Sequence, residues 1–374
     1  MRMELGVFIA LHGGTSDTSS IPNGKQHDWG LLRETRGNTM KKVLFATTAL
    51  VMTAGVASAE VAVTGEARLG LRYETDTSYT GSDSYNVVNR IRVHFTLTGE
   101  SDSGISFGAK IRSDQNDSAG DNNSGTDGYV WVSGAYGKLT AGDIDGALEK
   151  AVGDLPEVGL SGLDYWNEFA YSTSEEVDGD ASLLYEYSIG NANLYASFAD
   201  AYYDNSDDER DTQSWGVGVG YDLGNYTFGI GYEQSDYTIN PFVIDDEDTL
   251  ETVFGPLGDG ADSDTWGISG GTSINGITFK AAYLKTNSDN DNWDYAQYGL
   301  GAGYEMANGV ALNAFWREND FKNVDVKGRA FGIGANYDLG GGAMLKGGIV
   351  DTSSNFGATD YDNTLVDIGL NFTF

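Results

Sequence analysis

The sequence contains no cysteine, only 4 prolines and 3 histidines among its 374 residues, and few cations: 22 Lys and Arg against 56 Asp and Glu. Each shortage excludes something. Without cysteine there is no disulfide scaffold, no thiol catalysis and no Cys-ligated zinc or iron–sulfur centre. A formal charge of −34 is wrong for nucleic acid, whose phosphates need clustered Lys and Arg. With so little proline, the chain is neither collagen-like nor a Pro-rich linker. Long hydrophobic runs are missing too: the apolar stretch 43–56 falls short of the about 18 residues that mark a membrane helix. In contrast, Gly (52), Tyr (22), Phe (16) and Trp (7) are plentiful, and so many aromatics exclude a disordered acidic chain.

The start of the chain reads as processing signals. Met40-Lys41-Lys42 is a short basic segment, 43–56 is apolar, and Ala57-Ser58-Ala59 fits a small-x-small cleavage site. This pattern predicts a signal peptide over 40–59 and a mature N-terminus at Glu60. Residues 1–39 lie upstream of it and read as a mis-assigned extension, which leaves 60–374 as the folded barrel. From Glu60 onward the chain holds 16 basic and 52 acidic residues, a charge of −36, and a single histidine, His94. An exported chain without cysteine fits the bacterial cell envelope.

From Glu60 the hydrophobic period is two, the signature of strands. Val61, Val63, Leu69, Leu71 and Tyr73 alternate with Thr64, Glu66, Arg68 and Arg72. Ile91, Val93, Phe95 and Leu97 alternate with Arg92, His94 and Thr96, and Val366, Ile368, Leu370 and Phe372 with Asp367, Gly369 and Asn371. Aromatics recur toward strand ends on the apolar face, at Tyr73, Tyr129, Trp131, Tyr221, Tyr232, Trp266, Tyr283, Tyr304, Phe315, Trp316, Tyr337 and Phe374. Two membrane interfaces select that placement. Tight turns rich in Gly, Asn and Asp fall at 100–104, 134–137, 190–193, 222–225, 273–276, 306–309 and 338–342. Longer acidic segments at 75–86, 113–127, 144–180, 200–212, 235–264, 286–294, 317–325 and 351–363 alternate with them. Seven short and eight long connections join sixteen strands. The fold expected is an all-β, 16-stranded antiparallel transmembrane β-barrel with short periplasmic turns, long outer loops and an inward-folded third loop. About sixteen strands leave an aqueous lumen.

Charge is placed unevenly. Arg68, Arg72, Arg90, Arg92, Lys110 and Arg112 all fall on the polar face of the first three strands. Strands under about 5 Å apart would stack these cations on one wall. The third long segment, 144–180, carries Asp145, Glu149, Asp154, Glu157, Asp164 and Glu168 together with Leu148, Leu155, Leu163 and Phe169. A solvated loop has no use for those apolar residues. The segment is therefore expected to fold into the lumen, narrow it and set an acidic edge against the basic wall. The alternative is that 144–180 is a solvated acidic loop and the arginines merely pair with nearby Glu66 or Asp143. Asp245, Asp246, Glu247 and Asp248 form the densest acidic run, a candidate for Ca²⁺ or simply hydrated surface charge. No cofactor is required.

Two other function classes compete. A barrel hydrolase would use His94 as its base, although no serine stands out as the partner. A surface-displayed or soluble binding protein would use the same strands without a pore.

Several runs carry a family resemblance. These are Glu60-Val61-Ala62-Val63-Thr64-Gly65-Glu66-Ala67-Arg68, Gly153-Asp154-Leu155-Pro156-Glu157-Val158-Gly159, Leu223-Gly224-Asn225-Tyr226-Thr227-Phe228-Gly229-Ile230-Gly231-Tyr232-Glu233, Tyr337-Asp338-Leu339-Gly340-Gly341-Gly342-Ala343 and the terminal Phe374. In them the chain resembles the general diffusion porins of Gram-negative outer membranes, alphaproteobacterial type. The resemblance implies a homotrimer in outer-membrane lipid and passive diffusion of ions and small hydrophilic solutes. It further implies that Phe374 is a signal to the barrel-assembly machinery. It places Arg68, Arg90, Arg92, Asp154 and Glu157 at the narrowest part of the pore.

Overall fold

In a computed structural model the described residues are 60–75, 83–116, 126–172, 182–205, 208–236, 262–356 and 359–374. Sixteen strands follow one another in chain order: β1 (Glu60–Glu74), β2 (Ser84–Glu100), β3 (Ser106–Asn116), β4 (Thr126–Gly134), β5 (Gly137–Gly142), β6 (Ser182–Ile189), β7 (Ala192–Asn205) and β8 (Asp208–Asp222), then β9 (Tyr226–Ser235), β10 (Ser263–Ile274), β11 (Ile277–Ser288), β12 (Tyr295–Glu305), β13 (Val310–Phe321), β14 (Val326–Gly340), β15 (Ala343–Phe356) and β16 (Thr359–Thr373). Each pairs antiparallel with its sequence neighbours, and β1 pairs with β16 from Glu66↔Thr373 to Glu74↔Leu365. The sheet is thus a closed barrel. At the seam the Phe374 amide donates to the Gly65 carbonyl at 2.8 Å, and the Gly65 amide donates back at 3.1 Å.

All seven tight turns fall where Gly, Asn and Asp mark them. At the β10–β11 hairpin both Asn275 (φ 54°) and Gly276 (φ 79°) are left-handed, as a two-residue turn matching strand twist requires. Three of the expected long loops are mostly strand. β7 and β8 run through 200–212, β15 and β16 run through 351–363, and β13 continues to Phe321. Above an apolar band both strand faces meet water, so alternation vanishes while the hydrogen-bond ladder continues.

The register fixes which side chains face outward. Leu69, Leu71, Ile230, Leu300 and Ile368, each more than half exposed, lie on the outer surface. Apolar surface covers the barrel well beyond the few hundred Å² that a soluble monomer exposes as one patch. Outward aromatics form a ribbon across six strands, with ring centroids at 5.5 Å (Trp215–Tyr232), 5.4 Å (Trp266–Tyr283), 6.4 Å (Tyr283–Tyr298) and 5.7 Å (Tyr298–Trp316). Three of the expected girdle residues face inward instead. Tyr129 and Trp131, the cross-strand partners of Lys110 and Gly108, lie on the inner side of β4. Phe315, next to outward Trp316, is buried beneath the third loop. The sequence pattern of β4 is apolar on both faces, so alternation alone could not choose.

Residues 143–172 lie inside the barrel. They form one short helix, α1 (Ala147–Val152), and then an irregular path. Leu148, Val152, Leu155, Val158, Leu163 and Phe169 from this segment pack on Ala282, Leu284, Phe315, Ala330, Val350 and Leu365 of the inner wall. Each full burial contributes about 1.5–3 kcal/mol. Glycine lets the segment approach so closely. A Cβ on Gly229 would collide with the Ala151 carbonyl, and one on Gly301 with the Pro156 ring. Replacing Gly229 by Val should push α1 off the wall and expose Lys150 to trypsin while far-UV circular dichroism stays β-rich. Trypsin resistance equal to the parent's would refute this close packing.

Candidate functional site

Arg68, Arg72, Arg90, Arg92, Lys110 and Arg112 do stand side by side on the inner wall, with Arg68 opposite Arg90 and His94 opposite Arg112. Their counter-charges come mainly from the same wall. Glu66 holds Arg90 at 2.8 Å and Arg92 at 3.3 Å, while Asp114 holds Arg92 at 2.8 Å and Arg112 at 3.3 Å. Asp114 is only 7% exposed and accepts three hydrogen bonds from the Arg92 guanidinium. A fork-to-fork pair of this kind is the strong form of ion pair.

Among these six cations, Arg72 forms an ion pair across to the loop. Arg72 donates to both oxygens of Asp164, at 2.7 and 2.5 Å. Leu163, Asp164 and Tyr165 are all left-handed, with φ of 47°, 60° and 52°. That conformation costs roughly 1–2 kcal/mol per residue for an L side chain. Its effect is to lift Asp164 toward the wall, where the charge-assisted bonds to Arg72 offset part of the strain.

The other loop carboxylates do not line up against the arginines. Lys150 holds Asp145. Asp154 turns inward and accepts the Phe169 amide at 2.9 Å, bracing the loop. Glu157 lies 3.5 Å from Lys346 on β15, and its carbonyl accepts from Asn313 at 3.1 Å. The Glu168 amide closes a turn onto the Tyr165 carbonyl at 2.9 Å. Glu149 Oε2 is buried without a hydrogen-bond partner. Desolvation, together with Asp145 and Asp154, pushes the Glu149 carboxyl up to about 9, so it is uncharged at neutral pH. Asp245, Asp246, Glu247 and Asp248 lie outside the described residues. Among the described residues no group of three or more His, Asp or Glu is gathered as a metal would need.

The residues that hold the loop carry no motif. Asp367, in mid-β16 and 2% exposed, accepts from the Leu160 amide at 2.8 Å, the Ser161 amide at 2.7 Å and the Ser161 hydroxyl at 2.7 Å. Gln297 exchanges bonds with the Ala170 backbone at 2.9 and 3.0 Å. Glu233 accepts the Ser172 amide at 2.6 Å and Ser197 the Ala147 amide at 2.9 Å. Buried Arg317 reaches Gln297, Asn319 and the Trp166 carbonyl and lies 5.6 Å over the Phe169 ring. These groups supply the acceptors and donors that an irregular backbone inside the lumen would otherwise lack. The one signal available is a charged or amide side chain in the middle of a strand's polar face.

A closed barrel, apolar outside and polar within, narrowed by a chain segment pinned to its inner wall, defines a class: membrane-type β-barrels with an internal constriction. Comparison with known proteins narrows it. Residues 46–357 match the family model described as Gram-negative porin. The chain is 38% identical over 173 residues to a porin of Rhodobacter capsulatus, covering 45% of this chain and 54% of the relative. It is 29% identical over 153 residues to a porin of Fuscovulum blasticum, covering 38% and 52%. The aligned stretches thus span about half the length of these curated relatives. Among solved structures, a porin refined at 1.8 Å resolution aligns over 84% of this chain and all of its own, with 30% identity and a TM-score of 0.64. A mutant porin of Rh. blastica aligns equally widely at 21% identity and 0.56, a likeness of fold. The chain belongs to the Gram-negative porin family.

The Asp367 clamp is testable. Its carboxylate meets three donors, whereas an Asn side chain offers one neutral acceptor oxygen. Charge assistance roughly doubles such bonds. In detergent-solubilised Asp367→Asn, amide exchange at Leu160 and Ser161 should accelerate about tenfold or more while the β1–β16 seam stays protected. Unchanged exchange at those two amides would place the anchor elsewhere.

Proposed function

We propose that the protein forms a water-filled channel in the outer membrane of a Gram-negative bacterium, through which ions and small hydrophilic solutes diffuse passively. The observation that carries this reading is the polar, charged inner wall of a closed sixteen-stranded barrel, with a loop fastened inside it. Hydrocarbon demands that every backbone group be paired internally, and closure achieves it. A lumen lined by Arg, Asp, Glu, Thr and Ser must in turn be wet.

A net −36 from Glu60 onward favours cations near the mouths. At the wall, Glu66 and Asp114 neutralise part of the positive charge, on Arg90, Arg92 and Arg112, so the opposition to this preference is local. A reversal potential of cation-selective sign is expected across a bilayer with a KCl gradient, and an anion-selective sign would overturn the charge argument. Glu149 adds a pH dependence. Below about 9 it is neutral, so the lumen gains one negative charge as pH climbs through that value. Cation preference should rise between pH 8 and 10 more in the parent than in Glu149→Gln, and identical profiles would remove Glu149 from the permeation path.

The functional unit is a homotrimer. β5 has six residues, against 17 in β2. At about 3.4 Å per residue and a tilt near 45°, six residues rise only about 14 Å, well short of an apolar band about 25 Å tall. Lipid cannot seal a wall that low, whereas a second copy can. Val130 on β4 is outward and 57% exposed. Val130→Arg should convert trimers to monomers in native detergent mass measurements, whereas an undisturbed trimer would move the interface off this wall. Phe374, 79% exposed beside the seam, is available to the barrel-assembly machinery.

The hydrolase reading gains nothing from the site. His94 sits against Arg112 on the next strand, and its Nδ1 is buried without a hydrogen-bond partner. It therefore lacks the orienting group that a general base needs.

A further inference from the structure

A cavity of about 350 Å³ opens inside the barrel between the inner wall of β2–β6 and the first stretch of the inserted segment. It is separate from the Arg72–Asp164 contact, and its chemistry is opposite in sign to the chain as a whole. Cations lining it include Arg92, Lys110, Arg112, Lys138 and Lys150, while its carboxylates are Asp143, Asp145 and Glu186. Most of these cations are already tied. Asp114 and Glu66 hold Arg92, Glu186 holds Lys138 at 3.3 Å, and Asp145 holds Lys150. Lys110 differs: outside the backbone ladder it shares with β2 and β4, its ammonium has, among the described residues, neither a carboxylate within ion-pairing distance nor a side-chain hydrogen-bond partner. Beside it, its cross-strand neighbour Tyr129, together with Ile144 and Leu184, supplies an apolar side.

We propose that this cavity is a binding subsite for small organic oxyanions, with the Lys110 ammonium as the principal contact and the Tyr129–Leu184 side receiving the carbon skeleton. The inference rests on the channel reading above and adds a solute class to it. The volume falls within the range of small-molecule sites, about 300–1,000 Å³. An unpaired ammonium takes a carboxylate or a phosphate oxygen through charge-assisted bonds. With −36 from Glu60 onward, such a spot gives anions a foothold that the bulk potential denies them. Neutral sugars of the same size gain no such contact.

The test is current block in planar bilayers carrying the purified full-length protein in KCl, with glucose 6-phosphate, gluconate and glucose as probes. Saturable block by either anion, with none by glucose at equal concentration, is the expected result. The two anions distinguish a phosphate from a carboxylate preference. Lys110→Gln should weaken block about three- to tenfold, as expected for one lost charge-assisted contact in a partly wet site. Glu186→Gln, which frees Lys138, should tighten it. Lys327→Gln, on an exposed pair with Asp320 at the far end of β14, should leave it unchanged. Equal block by glucose and both anions overturns the subsite, as does a Glu186→Gln channel with untightened block, whatever the fate of the Lys110 variant. Absence of any KCl conductance would instead strike the channel reading itself.

Discussion

The β1–β16 ladder is the contact on which the remaining structure depends. Fifteen hairpin-type pairings between sequence neighbours would leave two open edges, each a row of unpaired amides and carbonyls. In hydrocarbon each such group costs several kcal/mol. The pairing of Glu66–Glu74 with Leu365–Thr373, extended by the mutual Gly65–Phe374 bonds, removes both edges at once. Only then does the two-residue period acquire its meaning, because a closed sheet has an outside that can be greasy and an inside that can be wet.

Closure also creates a second problem, a lumen wide enough to need narrowing. The inserted segment solves it with a core of its own. Its leucines and valines meet the apolar positions on the inner wall, and its irregular backbone is satisfied by Asp367, Gln297, Glu233 and Ser197 from β16, β12, β9 and β7. Packing holds the segment close and hydrogen bonding fixes its path. Charge then acts on a rigid frame. Glu66 and Asp114 pair with Arg90, Arg92 and Arg112 along the arginine wall, with Arg72–Asp164 as the strut between wall and loop.

Much of the barrel was legible in the sequence because lipid on one side and water on the other impose alternation and turn chemistry locally. The strand number, the seven tight turns and the six lumenal cations all follow from it. Legibility failed where that asymmetry fails. Strands β7, β8, β15 and β16 outrun the apolar band and look like loops. Tyr129, Trp131 and Phe315 are apolar side chains on the inner face, so their type pointed the wrong way. The candidate site was read less completely. That 144–180 turns inward could be inferred from its leucines, but not which wall it touches. Asp367 acts on amides 206 and 207 residues away, and no spacing rule announces such a contact. Asp154 and Glu157 brace the loop against its own backbone and against β15, which residue type alone does not distinguish from facing the arginines.

A wet lumen inside a greasy wall requires the two-faced strand. The chain has no cysteine, so single cysteines placed from Val93 to Thr98 on β2 can be probed one at a time in reconstituted vesicles with a membrane-impermeant thiol reagent. Labelling at His94, Thr96 and Thr98, with protection at Val93, Phe95 and Leu97, is the predicted result. Uniform labelling, or protection repeating every three to four residues, would contradict it.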